Sequence, residues 1–256
     1  MQRVRVIPVL LLQKGGLVKS VKFKNHKYVG DPINAVKIFN EKEVDEIVVL
    51  DISATAEKRS PDIRRIREIS SEAFMPLAYG GGIRTLEEIK QLITSGVEKV
   101  ILNSSAVENI GLVSEAAKWV GSQSVVVSID VKKNLWGKYK VHVLNGTKNT
   151  SLDPVEFAKQ CADAGAGELI INSIDRDGTL EGYDTALIKS VAGSVNIPVV
   201  AMGGAGKVID FAEAIRAGAS AVAAGSLFVF QMPHRAVLIS YPSQSELKEK
   251  VFNAIA

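Results

Sequence analysis

This sequence is poor in the residues that most often build metal and disulfide sites. Its 256 residues include one cysteine, three histidines and only 6% aromatic residues. A single cysteine excludes a disulfide framework or a cysteine zinc site within the chain, and it fits a reducing cytoplasm. Cys161 falls in a helical pattern, which favours packing over nucleophilic chemistry. Because His26, His142 and His234 share no metal-ligand spacing, we expect no metal and no cofactor.

Charge of one sign and long apolar runs are scarce as well. The formal net charge is +3, and the 31 basic and 28 acidic residues are interleaved along the chain, so no basic stripe indicates a nucleic-acid partner. The apolar run 6–12 is too short to span a bilayer, and no signal-peptide cleavage site follows it. We expect a cytoplasmic protein with neither nucleic acid nor membrane as a partner.

Short apolar runs alternate with longer amphipathic segments along the whole chain. The runs predict strands at 4–11, 46–52, 76–79, 99–103, 124–130, 168–173, 198–201 and 221–224. The amphipathic segments predict helices at 32–43, 61–71, 86–95, 110–120, 154–164, 185–193, 209–217 and 245–252. Eight such units favour an α/β fold, a closed (β/α)8 TIM barrel, over the alternative of an open doubly wound sheet.

An internal repeat supports the count of eight units. A shift of 122 positions aligns MPLAYGGGI with IPVVAMGGA. The same shift superposes these residues: Pro32 on Pro154, Glu46 on Glu168, Pro76 on Pro198, Gly81 on Gly203, Gly82 on Gly204 and Gly96 on Gly218. We therefore predict a single domain, 1–256, made of two duplicated half-barrels at about 1–122 and 123–256.

Each half contains glycines between a strand and a helix, and these predict a phosphate site. The clusters are Gly80-Gly81-Gly82 and Gly203-Gly204-Ala205-Gly206, and the next strands end in Asn103-Ser104-Ser105 and Gly225-Ser226. Glycine lets backbone N–H groups approach an oxyanion, and two adjacent strand ends of this kind form the usual phosphate site of a barrel. Tight turns alone would also require glycine. Two clusters at matching positions favour a ligand with two phosphates, one at each side of the mouth.

Acidic residues follow three of the predicted strands, where a barrel carries its catalytic groups. Asp130 ends the fifth strand, Asp51 ends the second, and Asp175 and Asp177 follow the sixth. Asp51 and Asp175 could equally cap the next helix. Asp130 leaves a buried strand at the mouth and is our candidate general acid or base. The corresponding place in the first half, 10–12, holds three leucines.

Four charged residues stand at the opposite ends of the strands. These are Arg5, Glu46, Lys99 and Glu168, each at or just before a strand start. Strand starts converge at the bottom of a barrel, so the four charges should meet around its axis. They form either a solvated salt-bridge ring that closes the core or a gate into the barrel interior.

Over essentially its full length the chain resembles HisF, the cyclase subunit of imidazole glycerol phosphate synthase. The segments that carry the resemblance are VKFKNHKYVGDP, AYGGGI, VEKVILNSSAV, SIDVK, GAGELIINSIDRDGTLEGYD, VAMGGAGK and GSLF. The resemblance implies a barrel that accepts ammonia from a HisH-like glutaminase, docked under its N-terminal face as a heterodimer. It implies that the four charged residues at the strand starts are the gate at the ammonia entrance.

The resemblance also implies roles for residues at the mouth. Asp130 matches one of the family's two catalytic aspartates, and Lys19 matches a lysine of its mobile first loop. The residues that match the two phosphate sites are Gly82, Asn103, Asp177, Gly178, Gly204, Gly225 and Ser226. A phosphorylated small molecule is the implied ligand.

Position 11 departs from the family pattern. The family's first strand is followed by Cys-Leu-Asp-Val, but this chain has VLLL, with Leu11 in place of the other catalytic aspartate and no acid within 6–13. Losing a general acid or base costs about 10² to 10⁴ in rate. With the ending LFVFQMPHRAVLISYP, this change resembles the HisF-like branch found with surface-polysaccharide (O-antigen) genes. There the pair supplies ammonia to a third protein, which converts an acetamido group of a sugar into an acetamidino group.

Three functions remain open at this point. The first is an ammonia-channelling amidotransferase subunit with weakened or absent cyclase (lyase) activity. The second is a working cyclase of histidine biosynthesis, in which Asp130 alone, or a group that the sequence does not reveal, transfers protons. The third is a sugar-phosphate isomerase of the related histidine-pathway barrel, against which Leu11 also counts.

Overall fold

The computed structural model describes residues 4–231, 234 and 236–255. Its strands are β1 (Arg5–Gln13), β2 (Gly16–Val21), β3 (Lys24–Gly30), β4 (Ile47–Asp51), β5 (Leu77–Gly80), β6 (Lys99–Leu102), β7 (Val125–Lys133), β8 (Tyr139–Val143), β9 (Lys148–Asn149), β10 (Glu168–Ser173), β11 (Val199–Met202), β12 (Ala221–Ala224), β13 (Phe230–Gln231) and β14 (Ala236–Val237). Its helices are α1 (Pro32–Glu41), α2 (Ile63–Glu72), α3 (Leu86–Thr94), α4 (Ser104–Glu108), α5 (Gly111–Val120), α6 (Pro154–Asp163), α7 (Thr185–Ala192), α8 (Ile209–Arg216), α9 (Ser226–Val229) and α10 (Gln244–Leu247). A 3-10 turn covers Ser122–Ser124, and a π-helical turn covers Lys248–Phe252.

Eight of the described strands form a closed parallel barrel. Around the barrel they run β1, β4, β5, β6, β7, β10, β11 and β12. The pairing of β12 with β1 and of β10 with β7 closes the circle, with Asp130 opposite Asn172. The predicted TIM barrel is therefore confirmed, and the open sheet is excluded because neither end of the series is left as an edge. The duplication of half-barrels stays a prediction.

The barrel interior is apolar, which explains why its strands read as continuous hydrophobic runs. The side chains that fill it include Ile7, Val48, Ala78, Ile101, Val126, Ile170, Val200, Ala221 and Ala223. A second, larger layer packs the outer faces of the strands against the helices. Cys161 is buried in that layer, as its helical pattern predicted. No described helix has the length and hydrophobicity that a membrane-spanning segment needs.

Local signals in the sequence account for where the helices begin. Asp31 and Asp153 accept hydrogen bonds from the first backbone N–H groups of α1 and α6, and a proline follows each of them. Thr85 and Glu88 form a capping box at the start of α3. Seven of the eight predicted helices are confirmed with ends that shift by no more than two residues. The eighth, predicted at 245–252, consists of the short helix α10 and the π-helical turn that follows it.

Two antiparallel extensions at the C-terminal rim of the barrel were not predicted. β1 continues beyond the barrel and pairs with β2, which pairs with β3. β7 continues in the same way and pairs with β8, which pairs with β9. Lysine and asparagine break the alternation of apolar residues in these segments, so the hydrophobic pattern alone did not identify them as strands. The two hairpin extensions stand beside the mouth that holds the predicted site.

Candidate functional site

A cavity opens at the C-terminal ends of the barrel strands, where the sequence placed the site. One side is polar and is lined by Asn103, Ser128, Asp130, Asn172 and Asp177. The other side is apolar and is lined by Leu11, Leu50, Ile52, Ile101 and Met202. Leu11 and Leu50 are register partners on neighbouring strands, so the residue at position 11 contributes to the apolar wall.

Two amides hold Asp130 on the polar side. Asn103 donates a hydrogen bond to one carboxylate oxygen at 3.1 Å, and Asn172 donates to the other at 3.2 Å. Burial raises the pKa of Asp130 to about 7, opposed by the amide of Asn172 and reinforced by the negative charge of Asp177. A carboxyl group with this pKa can both accept and donate a proton near neutral pH.

Lys19 on β2 and Asp177 in the loop after β10 interact electrostatically. The Lys19 ammonium is buried and donates to the carbonyl oxygen of Val9. Burial lowers its pKa to about 8, partly offset by the charge of Asp177. Burial raises the pKa of Asp177 to about 6, opposed by Lys19 and by the hydroxyl of Ser20, which donates at 3.3 Å. Ionisation of the two groups is therefore mutually dependent.

The first glycine cluster lines a small cavity beside the mouth. Gly81, Gly82, Ser104 and Ser105 form its walls together with Asn103. The backbone of Gly81 lies so close to β4 that an added Cβ would be 2.2 Å from the carbonyl oxygen of Asp51. The side-chain N–H₂ group of Asn103 donates to Asp130 and to the carbonyl oxygen of Ser128. This residue thus connects the first predicted phosphate site to the carboxyl group.

The second glycine cluster lines a matching cavity on the other side. Its walls include Gly178, Gly203, Gly204, Gly225 and Ser226. Lys19 reaches the same cavity, as does Asp177. An added Cβ at Gly225 would be 2.6 Å from the Lys19 ammonium nitrogen, so the lysine fills the space that this glycine leaves. The structure therefore brings the predicted residues of the second site together, except Gly206, and places Lys19 among them.

The two other acidic residues have structural partners. Asp51 accepts hydrogen bonds from the backbone N–H groups of Ser53 and Ala54, and its carboxylate pairs with Arg59 at 3.1 Å. Asp175 accepts a hydrogen bond from the backbone N–H of Lys133 at 2.9 Å. Neither aspartate caps the following helix, because Asp62 caps α2 and Asp184 caps α7. The capping alternative was therefore wrong: Asp51 binds the turn after β4, and Asp175 anchors the β7 extension.

The four charged residues at the strand starts form a closed ring at the N-terminal end of the barrel. Lys99 pairs with Glu46 at 2.8 Å and with Glu168 at 3.0 Å. Arg5 pairs with the same two carboxylates. Glu46 and Glu168 are only 3% and 6% exposed. The carboxylates of the ring are therefore buried, whereas one of the two alternatives was a solvated ring.

Several residues that line the mouth were not identified from the sequence. Asn172 and Ser128 sit beside Asp130, and Phe23, His26 and Asn145 reach the cavity from the two hairpin extensions. Asn172 ends a buried strand with a polar side chain, the same signal that identified Asp130. The other three depend on the unpredicted hairpins. No group of three or more His, Cys, Asp or Glu side chains in the described part of the chain is arranged to hold a metal ion.

Comparison with known proteins identifies the family of this barrel. A profile of histidine biosynthesis proteins matches residues 5–233. The chain belongs to the HisF family. It is 52% identical over 248 residues to a protein of Pseudomonas aeruginosa that is provisionally named imidazole glycerol phosphate synthase subunit hisF2, covering 96% of this chain and 99% of the relative. It is 46% identical over 225 residues to imidazole glycerol phosphate synthase subunit HisF of Alkaliphilus metalliredigens, covering 88% and 89% of the two chains.

A third relative is similar to this chain over nearly its whole length. A provisionally named HisF subunit of Leptospira interrogans is 49% identical over 254 residues, covering 98% of this chain and 100% of the relative. The relative of Alkaliphilus metalliredigens is by name one subunit of a synthase. Of the ending LFVFQMPHRAVLISYP, residues Met232, Pro233 and Arg235 lie outside the described residues.

Proposed function

We propose that this chain is the HisF-like subunit of a glutamine amidotransferase complex, in which it receives ammonia from a HisH-like glutaminase and conducts it through the barrel. The final acceptor in this proposal is an acetamido sugar or nucleotide sugar of surface-polysaccharide synthesis, which a third protein amidinates. Membership of the HisF family supports the subunit and its glutaminase partner. The proposed acceptor of the ammonia depends on the residues that line the mouth of the barrel.

The observation that carries the ammonia path is the alignment of three features along the barrel axis. The ion-pair ring of Arg5, Glu46, Lys99 and Glu168 stands at one end, the apolar interior follows, and the cavity of Asp130 lies at the other end. Neutral ammonia is small and crosses an apolar space at a lower free energy than an ammonium ion. The ring is the charged barrier that ammonia must pass, so its four residues are the proposed gate.

The residues that line the mouth favour a phosphorylated ligand, with a group for proton transfer on β7 and none on β1. The two glycine-lined cavities each share lining residues with the mouth cavity that holds Asp130, and in our proposal each binds one phosphate of the ligand. Lys19 gives the second cavity a positive charge, which favours an anion there. Leu11 and Leu50 present hydrocarbon where a second acid or base would be needed, so Asp130 has no opposed carboxylate partner on β1.

The alternative is a working cyclase that makes imidazole glycerol phosphate. The cradle of Asn103 and Asn172 around Asp130 favours it, because a carboxyl group with a pKa near 7 exchanges protons efficiently. In this alternative Asp130 performs both proton transfers, and Lys19 neutralises the bound phosphate. The apolar wall at Leu11 argues against efficient turnover.

An assay of the purified chain separates the two functions. The phosphoribulosyl-formimino aminoimidazole carboxamide nucleotide is supplied with ammonium at high pH, where free ammonia is abundant. We expect turnover about 10² to 10⁴ below that of a HisF subunit that has both aspartates. Turnover equal to that of such a subunit would overturn the sugar proposal and establish the cyclase.

A second measurement tests the partner. A HisH-like glutaminase is mixed with this chain, and glutaminase activity and complex formation are followed together. We expect a one-to-one complex in which glutamine labelled with ¹⁵N on its amide delivers label to an acetamido nucleotide sugar when the third protein is present. Complex formation with no label in the sugar would leave the subunit assignment intact and refute the proposed acceptor.

A further inference from the structure

The two hairpin extensions concentrate positive charge at the mouth. Residues 14–30 and 131–152 each contain five lysines and no aspartate or glutamate. Those that are exposed are Lys14, Lys22, Lys24, Lys27, Lys133, Lys138 and Lys148. The whole chain has a net charge of only +3, so the residues outside these two segments are net acidic. The interleaving of charges that holds along most of the sequence fails in these two segments.

The turn between β7 and β8 presents two large apolar side chains to solvent. Leu135 is 99% exposed and Trp136 is 82% exposed. A single asparagine fixes this turn: the side-chain oxygen of Asn134 accepts hydrogen bonds from the N–H groups of Trp136 at 3.0 Å and Lys138 at 2.9 Å. The backbone N–H of Asn134 also donates to the carbonyl oxygen of Lys138. The apolar apex is thus held in place, which lowers the entropy lost when it binds.

The lysines of this hairpin stand behind the apex and surround it. Lys132 and Lys133 precede the turn, and Lys138 and Lys140 follow it. Lys133 lies over the ring of Tyr139 at 4.9 Å, and the Lys140 ammonium donates to the carbonyl oxygen of Ser151. The apolar side chains of Leu135 and Trp136 therefore stand at the tip of the turn, with the lysines next to them in the hairpin. This is the order in which a lipid surface places its acyl boundary and its anionic headgroups.

We propose that the β7–β8 turn docks the barrel onto an anionic lipid surface, with Leu135 and Trp136 inserted at the acyl boundary and the lysines against the headgroups. Tryptophan is favoured at this boundary because its ring is apolar and its N–H is polar. A protein partner is a poorer fit, since a stable protein interface buries about 800 Å² on each side and this apex offers two apolar side chains. A nucleic acid would attract the lysines but provides no apolar layer for Leu135.

The β2–β3 hairpin supplies a second contact on the same rim. Its exposed lysines, Lys22, Lys24 and Lys27, accompany Tyr28, which is 66% exposed. Docking through both hairpins turns the barrel mouth toward the lipid and leaves the N-terminal ring facing away from it. The expectation of no membrane partner weighed spanning and signal segments, and a surface-docked turn requires neither.

Sedimentation with vesicles tests the proposal directly. The chain is mixed with vesicles of phosphatidylcholine alone, or with about a third of phosphatidylglycerol added. We expect binding to the anionic vesicles that is lost in high salt, and little binding to the neutral ones. Leu135→Ser with Trp136→Ser should weaken binding at least about tenfold, and Lys138→Glu should weaken it roughly fivefold or more. These side chains are exposed, so the variants should fold normally.

A matched control and a spectroscopic readout complete the test. Phe74→Ser removes an apolar side chain that is 87% exposed at the opposite end of the barrel, and it should leave vesicle binding unchanged. In a Trp119→Phe background, Trp136 is the only tryptophan, and its emission should shift to the blue on anionic vesicles.

Three results would overturn the proposal. These are the absence of binding to anionic vesicles, binding that survives Leu135→Ser with Trp136→Ser, and retention on oligothymidylate or polyglutamate without vesicle binding. The ammonia function is untouched by any of them, because its assays contain no lipid.

Discussion

Asn172 and Asp130 are joined by a single hydrogen bond of 3.2 Å, in which the amide of Asn172 is the donor. The amide oxygen of the same asparagine is buried and has no hydrogen-bond partner within the described structure. The neighbouring Asn103 also presents a donor to the carboxylate. Two donors and one unused acceptor therefore surround a carboxyl group at the mouth whose pKa is about 7. The first prediction depends on this arrangement.

Replacing Asp130 with asparagine should stabilise the protein at neutral and alkaline pH. The folded-state pKa is about 7 against an ordinary 3.8, so the folded protein binds this proton more tightly than the unfolded chain. The stability of the wild type therefore falls as pH rises from about 4 to 7, and the variant escapes this loss. We expect a gain of about 4 kcal/mol at pH 8 and little gain below pH 4, from urea unfolding at both pH values. If the amide of Asn172 rotates by 180°, its free oxygen can accept a hydrogen bond from the new N–H₂ group.

The matched substitution Asp51→Asn should have the opposite sign. Asp51 pairs with Arg59 at 3.1 Å, so its loss removes a favourable interaction at neutral pH. If both variants were stabilised equally at pH 8, the effect would belong to general charge reduction and not to the burial of Asp130.

Replacing Lys99 with methionine should open the ion-pair ring and destabilise the fold. The carboxylates of Glu46 and Glu168 are nearly buried and would then share Arg5 alone. Removing one partner from a buried ion pair costs about 3 to 5 kcal/mol, which urea unfolding would measure. The same change should alter the ratio of glutamine-dependent to ammonium-dependent turnover in the complex with the glutaminase.

Lys90→Met provides the control for this experiment. Lys90 pairs with Glu87 at 3.8 Å on the exposed face of α3, where an ion pair is worth about 1 kcal/mol or less. A similarly small cost for Lys99→Met would show that the ring behaves as a solvated surface cluster. An unchanged turnover ratio would argue against a gate.

Introducing aspartate at Leu11 should increase cyclase turnover. Leu11 lines the same cavity as Asp130 and belongs to the neighbouring half of the mouth. A second positioned acid or base contributes about 10² to 10⁴ in rate, measured with the nucleotide substrate and ammonium. Leu50→Asp places the same charge on the adjacent strand, one register partner away, and should give no comparable gain. Equal gains from the two variants would contradict a specific role for position 11.

Replacing Gly178 with alanine should detach the β2–β3 hairpin from the loop after β10. Gly178 has a φ of +70°, and an added Cβ would lie 2.0 Å from the carbonyl oxygen of Ser20. We expect a loss of about 2 to 4 kcal/mol in urea unfolding and faster hydrogen exchange at Lys22, whose N–H donates to Asp177. Gly15→Ala has a similar φ of +80° with open space around it, so it should cost only about 1 kcal/mol. Equal losses would assign the effect to φ alone.

The barrel was predictable because its strands are buried on both faces and its helices carry explicit start signals. Asp31 and Asp153 with their prolines are examples, and the glycine clusters located both cavities correctly. The hairpins were missed because lysines interrupt the apolar pattern in these segments. Asn172 was missed because its place in the site depends on its hydrogen bond to Asp130, which lies 42 residues away in the sequence. The roles of the site residues stay predictions.

The ion-pair ring has a consequence for the exchange of protons with the surrounding buffer. The ring occupies the N-terminal end of the barrel, and apolar side chains fill the interior above it within the part of the chain that is described. Protons therefore reach Asp130 from the mouth and not from below. A ligand that fills the mouth separates this carboxyl group from the buffer, and its protonation state is then fixed at the moment of binding.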